Sequence, residues 1–443
     1  MDGALTQLSL SNYLTNKEGH AVSFFHHSYK NYANYVKLTK ELSFKNGIKF
    51  GQTSGFRFDE DGKFGDLITN IVISVDLPDV SSYTNINGRK FGYCNSVGNA
   101  IAQNIALRIG GNLIDQHSSE WLDIYGQLTV KPGCKENYFS MIQKYDDSSF
   151  TTTSFTGGRI YIPLQFWFCR NISSSNSALM LPLCSLYNST IELTLDIRSF
   201  LDVLISEDGV LTGAPTLEIQ DGKLLVDYIL LEEEERQRYI KIPKQMHIIR
   251  QLQSYVYSIE NNIVEQSFSL KSMRYPIIEI MFIVRRNDSE TMNDYFNYSN
   301  ANALSILSNP ANPSNPIKDV RLIFDGRDRI VTTSANVFTQ LEPTKVHTNT
   351  PVNKFIHVYS FALEPEKIEQ PNGICNFSEL QNPQLHLTFN TTIAPSTLYV
   401  YAVNYNVLIN TSGGSSLLHM LSKSVPTIFP DTNCIVTGGG IPK

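Results

Sequence analysis

The chain has 443 residues, of which 42% are hydrophobic and 18% charged, with 24 Phe, 22 Tyr and a formal net charge of -6. That length predicts two domains of about 200 residues each rather than one core. A charged fraction below the ~25% of average soluble proteins argues against disorder, and the aromatics suit β-rich packing and large buried contacts between subunits. A net negative chain with no long basic run also argues against direct nucleic-acid binding, which needs a basic stripe to neutralise phosphates. The densest basic spots, Arg285-Arg286 and Arg327 with Arg329, are interrupted by acids.

Residues 1–20 are polar and unpatterned apart from Leu5, Leu8 and Leu10, and read as an arm. No basic segment followed by an apolar run begins the chain, so no signal peptide is expected, and no stretch reaches the ~18 apolar residues of a membrane span. Long helical periodicity is almost absent. Short runs rich in β-branched and aromatic residues recur instead: 67–77 (LITNIVISVDL), 277–284 (IIEIMFIV), 384–389 (QLHLTF) and 398–403 (LYVYAV). Gly, Pro, Asn and Ser punctuate the gaps, which is the pattern of an all-β sandwich or barrel.

The pattern occurs twice. Residues 186–196 (LYNSTIELTLD) lie over 380–390 (LQNPQLHLTFN) without a gap, 160–168 (IYIPLQFWF) over 355–363 (FIHVYSFAL), and 224–226 over 398–400. Three matches in one order predict a duplicated β unit. The first unit is placed at 21–235, ending in the charged run Glu232 to Arg238, which reads as a short exposed helix or linker. The second is placed at 236–412, and 413–443 form a C-terminal tail with an apolar patch at Leu417, Leu418 and Leu421. Trp167 and Phe166 are expected in the sandwich core or at the junction of the units. The loop 287–316, rich in Asn, Ser and Pro, is long enough to carry function, and the loops 78–102 and 126–157 are the segments expected to join it.

The residue patterns that carry chemistry are missing. The nine histidines form no H-x-H pair, and His26 and His27, being adjacent, point to opposite faces of a strand. The six cysteines (Cys94, Cys134, Cys169, Cys184, Cys375, Cys434) never form C-x-x-C and read as free thiols. There is no P-loop and no G-x-S-x-G elbow. Asp325-Gly326-Arg327-Asp328 could suggest calcium, but Asp-Gly between two strand-like runs specifies a tight turn, and Gly110-Gly111 holds the same place in the first unit. No catalytic residue, metal ligand or cofactor is therefore expected. Asn-x-Ser/Thr sequons begin at Asn171, Asn188, Asn287, Asn297, Asn376, Asn390 and Asn410. Asn287 and Asn297, in the long loop, are the candidate glycan acceptors.

Three segments carry a family resemblance. Residues 22–34 (VSFFHHSYKNYAN), 158–168 (GRIYIPLQFWF) with 179–183 (LMLPL), and 358–365 (VYSFALEP) with 373–378 (GICNFS) resemble the major capsid proteins of nucleo-cytoplasmic large DNA viruses, of the chlorella-virus and iridovirus type. The first segment departs at His26-His27, where the family more often carries Lys. The resemblance spans about residues 20–410. It implies a double jelly roll, two tandem eight-stranded units with short helices in the loops. It also implies a homotrimeric capsomer of pseudo-hexameric outline that tiles an icosahedral shell, with the long loop outermost. The implied partners are further copies of the chain, minor capsid proteins beneath the shell and, indirectly, an internal membrane. The implied location is the virion, after assembly in the host cytoplasm. The competing readings are a double jelly-roll scaffold, a minor capsid or spike protein, and a carbohydrate-binding β sandwich of another origin, which would be a monomer or dimer.

Overall fold

The computed structural model describes residues 34–418 except 59–63, 147–148, 170–179, 187–188, 243, 302–312, 368–369, 391–392 and 412–413. The N-terminal arm, most of the tail, His26, His27, Cys434, Asn171 and Asn188 lie outside the described residues.

The first unit contains β1 (Tyr35–Ser43), β2 (Thr53–Arg57), β3 (Leu67–Leu77), β4 (Phe91–Tyr93), β5 (Ala102–Ile109), β6 (Asn112–Ser118), β7 (Gly158–Pro163), β8 (Leu181–Pro182), β9 (Ile191–Ile197), β10 (Leu204–Ser206) and β11 (Asp221–Leu231). The second contains β12 (Lys244–Ile259), β13 (Glu265–Ser269), β14 (Pro276–Arg286), β15 (Ile317–Phe324), β16 (Arg327–Ser334), β17 (His357–Ser360), β18 (Cys375–Asn376), β19 (Gln384–Phe389), β20 (Ser396–Thr411) and β21 (Gly414–Leu417). One sheet of the first unit has the order β1-β11-β3-β7 and the other β2-β9-β5-β6; the second unit repeats them as β12-β20-β14-β17 and β13-β19-β15-β16. Even the small strands correspond, β8 pairing with β3 as β18 pairs with β14. Each unit is an eight-stranded jelly roll, and the all-β duplication expected from the sequence is the architecture observed.

Alternation builds the sandwich. Ile191, Leu193, Leu195 and Ile197 of β9 point into the first core, and Leu385, Leu387 and Phe389 of β19 into the second, each separated by a partly exposed residue. The sequence repeats fall on structurally equivalent strands: β9 with β19, β7 with β17, β11 with β20. Both hairpin turns use two residues at positive φ, Gly110 (59°) with Gly111 (79°) and Asp325 (51°) with Gly326 (78°). That geometry matches the right-handed twist of the flanking strands, so Asp325 serves a turn; its carboxylate accepts from the backbone N–H of Gln381 and Asn382 at 2.8 and 2.9 Å. Phe166 and Trp167 are buried in the first core.

Two elements were not legible as such. Helix Ser119–Thr129 follows β6 directly, and β21 arises in what reads as tail. Its four residues, Gly-Ser-Ser-Leu, carry no periodicity; they become a strand because β20 extends to Thr411 and offers a free ladder. Leu417 then buries in the first jelly roll's core, and Ser189 Oγ accepts from the Ser415 backbone N–H at 3.1 Å. The charged run forms helix Glu233–Lys241, with no buried residue, anchored by Arg236 to Asp66 at 2.8 Å.

Candidate functional site

Among the described residues no group of His, Cys, Asp and Glu could hold a metal ion, and no described helix is long and apolar enough to cross a membrane. Cys94, Cys134, Cys169, Cys184 and Cys375 are free thiols. Arg285 and Arg286 are each tied to carboxylates, Glu120 at 2.8 Å and Asp288 at 2.6 Å. The two jelly rolls bury side chains against each other at a junction within the chain.

The junction is built by the helix Ser119–Thr129. Ser118 caps it, its Oγ accepting from Trp121 N at 3.4 Å, the ordinary use of serine at a helix start. The helix has two apolar faces. Leu122 enters the first core, whereas Trp121, Ile124, Tyr125 and Leu128 lie on the outer face of the sheet β12-β20-β14-β17, against Leu252, Met281, Ile283 and Tyr401. Trp121 is fully buried, with ring centroids 5.1 Å from Tyr125 and 5.7 Å from Tyr401. This second partner explains why β14 reads as a continuous apolar run: it is buried on both faces, nine consecutive residues from Ile277 to Arg285.

Charge fixes the register of that contact. Glu120 pairs with Arg285 of β14 at 2.8 Å and Arg198 at 3.7 Å, all three side chains less than a tenth exposed. Burial opposes ionisation of Glu120, but the Arg285 and Arg198 guanidiniums override it and hold the carboxyl down at about 2. Arg285 also donates to Tyr399 Oη at 2.5 Å. At the flank, the edge strand β12 gives its Leu252 N–H to Asp115 Oδ1 at 3.0 Å, and Asp115 holds His117 at 3.0 Å. Lys144 and Asp123 form a buried ion pair beside Tyr298.

The loop 335–356 of the second jelly roll reaches back. Asn349 donates its backbone N–H to Leu128 O at 2.9 Å and its amide to Val130 O. Two residues earlier, His347 is clasped between Glu279 (3.1 Å) and Glu366 (3.0 Å) with no exposed side-chain surface. Burial disfavours the charged ring, yet the two carboxylates outweigh it and raise its pKa to about 9. Sequence reading missed both devices, because their members lie far apart in the chain and carry no local spacing.

The long loop starts with helix Asn287–Thr291 and turns inward: Asn293 donates to Leu201 O and Leu204 O, both at 2.7 Å, and Tyr295 Oη donates to Asp202 O at 2.9 Å. Asn287 is exposed, its Oδ1 accepting from Thr397 Oγ1 at 2.8 Å. Asn297 is buried, its Oδ1 accepting from Ser299.

Two jelly rolls side by side, sealed by a buried junction, define a double jelly-roll protein. A family model described as "Major capsid protein N-terminus" matches residues 23–232, and one described as "Large eukaryotic DNA virus major capsid protein" matches 235–415. The chain belongs to this family, the major capsid proteins of large eukaryotic DNA viruses. It is 27% identical to the major capsid protein of Pyramimonas orientalis virus, over 90% of this chain and 94% of that one. It is 25% identical to that of Paramecium bursaria Chlorella virus 1, over 95% and 100%. The crystal structure of PBCV-1 VP54 superposes with a TM-score of 0.73 at 24% identity, over 90% of this chain and all of that one, which establishes the shared fold.

Proposed function

We propose that the chain acts as a homotrimer whose six jelly rolls surround one axis, a tile of hexagonal outline that joins its neighbours through weaker trimer–trimer contacts to close an icosahedral shell. The observation that carries this reading is the pair of jelly rolls with one strand order, held rigid by a buried junction: two like modules per chain give six per trimer. Assembly then rests on burial between copies, many modest contacts summing to a stable shell while each still opens to correct errors. Each subunit contact of this permanent kind should bury more than ~2,000 Å².

In this reading residues 21–235 and 236–412 are the two jelly-roll domains, and the arms 1–20 and 413–443 flank them, with the start of the latter stitched to β20. Minor capsid proteins lie beneath the shell and link it to an internal membrane, assembly takes place in the host cytoplasm, and the chain neither binds nucleic acid nor catalyses a reaction. Of the two candidate glycan acceptors, exposure favours Asn287 over the buried Asn297. Light scattering on the purified chain tests the central point. A mass near three times 49.9 kDa is expected, and a stable monomer at micromolar concentration overturns the trimer. Limited proteolysis of free trimers and intact shells in parallel tests the arms: slower cutting of at least one arm in shells is expected, and equal rates exclude them as assembly contacts.

A further inference from the structure

We infer that Lys144 and Asp123 condense to a covalent amide, an isopeptide bond within the chain. It ties the junction helix Ser119–Thr129 to the segment that follows helix Lys135–Ile142. The inference concerns one chain and holds whether or not that chain forms a trimer.

A lysine ammonium and a carboxylate are expensive to take out of water together, and their attraction offsets that only when the remaining hydrogen bonds are made. Here the Lys144 side chain is 5% exposed and that of Asp123 1%. At Glu120, the other buried acid of the junction helix, the cations are guanidiniums, which stay protonated and do not attack carbon. At Asp123 the cation is an amine, a nucleophile once it gives up a proton. Its Nζ is in contact with Asp123 Oδ1, one bond from the carboxyl carbon.

The surroundings supply what acyl transfer needs. Asp123 Oδ2 accepts from Gln127 Nε2 at 2.5 Å and from Tyr298 Oη at 3.3 Å. Two donors on one carboxyl oxygen, with the amine at the other, form an oxyanion hole. Gln127 stands one helical turn beyond Asp123, on the same face, so its donor stays in place while the carbon becomes tetrahedral. The rings of Phe139 and Phe296 lie 5.5 and 5.9 Å from Nζ, and Tyr298 is buried. Such a shell favours the neutral acid and amine over the ion pair and keeps out the water that would hydrolyse the product.

The step balances within the pair. A proton passes from the ammonium to Oδ1, leaving a neutral amine and a neutral acid. The Nζ lone pair attacks Cγ, and the carbonyl electrons move onto Oδ2, where Gln127 and Tyr298 hold the charge. When the carbonyl re-forms, the Cγ–Oδ1 bond breaks, and Oδ1 takes a second amine proton and leaves as water. One C–N bond replaces one C–O bond, and no oxidant, reductant or co-substrate is needed. The product closes residues 123–144 into a ring and pins the helix that seals the junction. The five described cysteines are free thiols; an amide, unlike a disulfide, also survives in a reducing compartment.

Mass spectrometry of the full chain, denatured, reduced and digested with trypsin, is the test. The digest should contain residues 109–135 joined to 136–159, with Lys144 uncut and the joined mass one water below the sum of the two. Cleavage after Lys144, with the two peptides running separately at their full masses, overturns the inference and leaves an ordinary ion pair. Lys144→Arg keeps the positive charge and removes the amine, so it should release the two peptides unjoined. If they stay joined in that variant, the bond lies elsewhere and the assignment is wrong. The wild-type digest decides by itself if Lys144→Arg fails to fold.

Discussion

On the outer face of the second jelly roll, Met281, Ile283, Tyr401 and Val403 are sealed under the helix Ser119–Thr129. The matching positions of the first are Asn70, Val72, Asp227 and Ile229, and the strands around them carry surface ion pairs: Lys37–Asp227 at 3.8 Å, Lys223–Glu41 at 3.5 Å, Arg159–Asp221 at 3.3 Å. The same backbone thus carries two surface chemistries. An interface formed once, during folding of a chain, tolerates a greasy sheet, because its cover is always tethered nearby. A face that must wait in water for another molecule cannot be a large apolar patch without courting aggregation. Exposed ion pairs add little stability, about 0–1 kcal/mol each, but they keep such a face soluble.

The comparison can be broken most forcefully at the sealed side. Trp121→Ala removes a fully buried ring and should cost about 3–5 kcal/mol in denaturant unfolding; Trp167→Ala, in the first core, should cost about the same. A cost near zero for Trp121→Ala means that the junction is not sealed. Glu120→Gln leaves Arg285 and Arg198 buried without their carboxylate and should cost about 3 kcal/mol at neutral pH.

That variant also changes the acid limb. The Glu120 carboxyl is depressed from 4.5 to about 2, so its contribution is present above pH 4.5 and lost as pH falls toward 2. Glu120→Gln should flatten the fall in melting temperature over that interval. His347 acts with the opposite sign: raised from 6.5 to about 9, it stabilises fully below pH 6.5 and loses that contribution as pH rises through 9. His347→Gln should be less stable at pH 6 and should remove the alkaline loss; a wild-type melting temperature that does not fall between pH 6.5 and 9 rules out the charged clasp. Gly326→Ala at φ 78°, with open space around the new methyl, isolates backbone strain and should cost about 1–2 kcal/mol. Smallest of all, Leu341→Ala, at a side chain half exposed in the chain, should move stability by less than about 0.5 kcal/mol, as for an ordinary surface site.

Much of the fold was legible because strands advertise themselves locally. IELTLDI and QLHLTF alternate, Gly-Gly and Asp-Gly mark the two hairpins, and the repeats fall on equivalent strands. The apolar run IIEIMFIV read as a strand, but that both its faces are buried shows only once the helix Ser119–Thr129 is in place. The helix that covers it was missed because Leu122 serves one jelly roll while Trp121, Ile124, Tyr125 and Leu128 serve the other, which blurs a single stripe. Glu120, Arg198 and Arg285 were illegible for another reason: each is an ordinary charged residue until folding brings the three together. The long loop read as a connection without structure of its own, and nothing in its composition signalled that Asn293 and Tyr295 tie its first part to the backbone of Leu201, Asp202 and Leu204.

The last described strand has a consequence for how the protein is made. Leu417 fills part of the core of the jelly roll that begins some 380 residues earlier, while its own strand is paired to β20. The first jelly roll therefore cannot complete its packing while the second is still on the ribosome. A chain cut before Leu417 should therefore carry a gap in its first core and melt at a lower temperature than the chain that includes it.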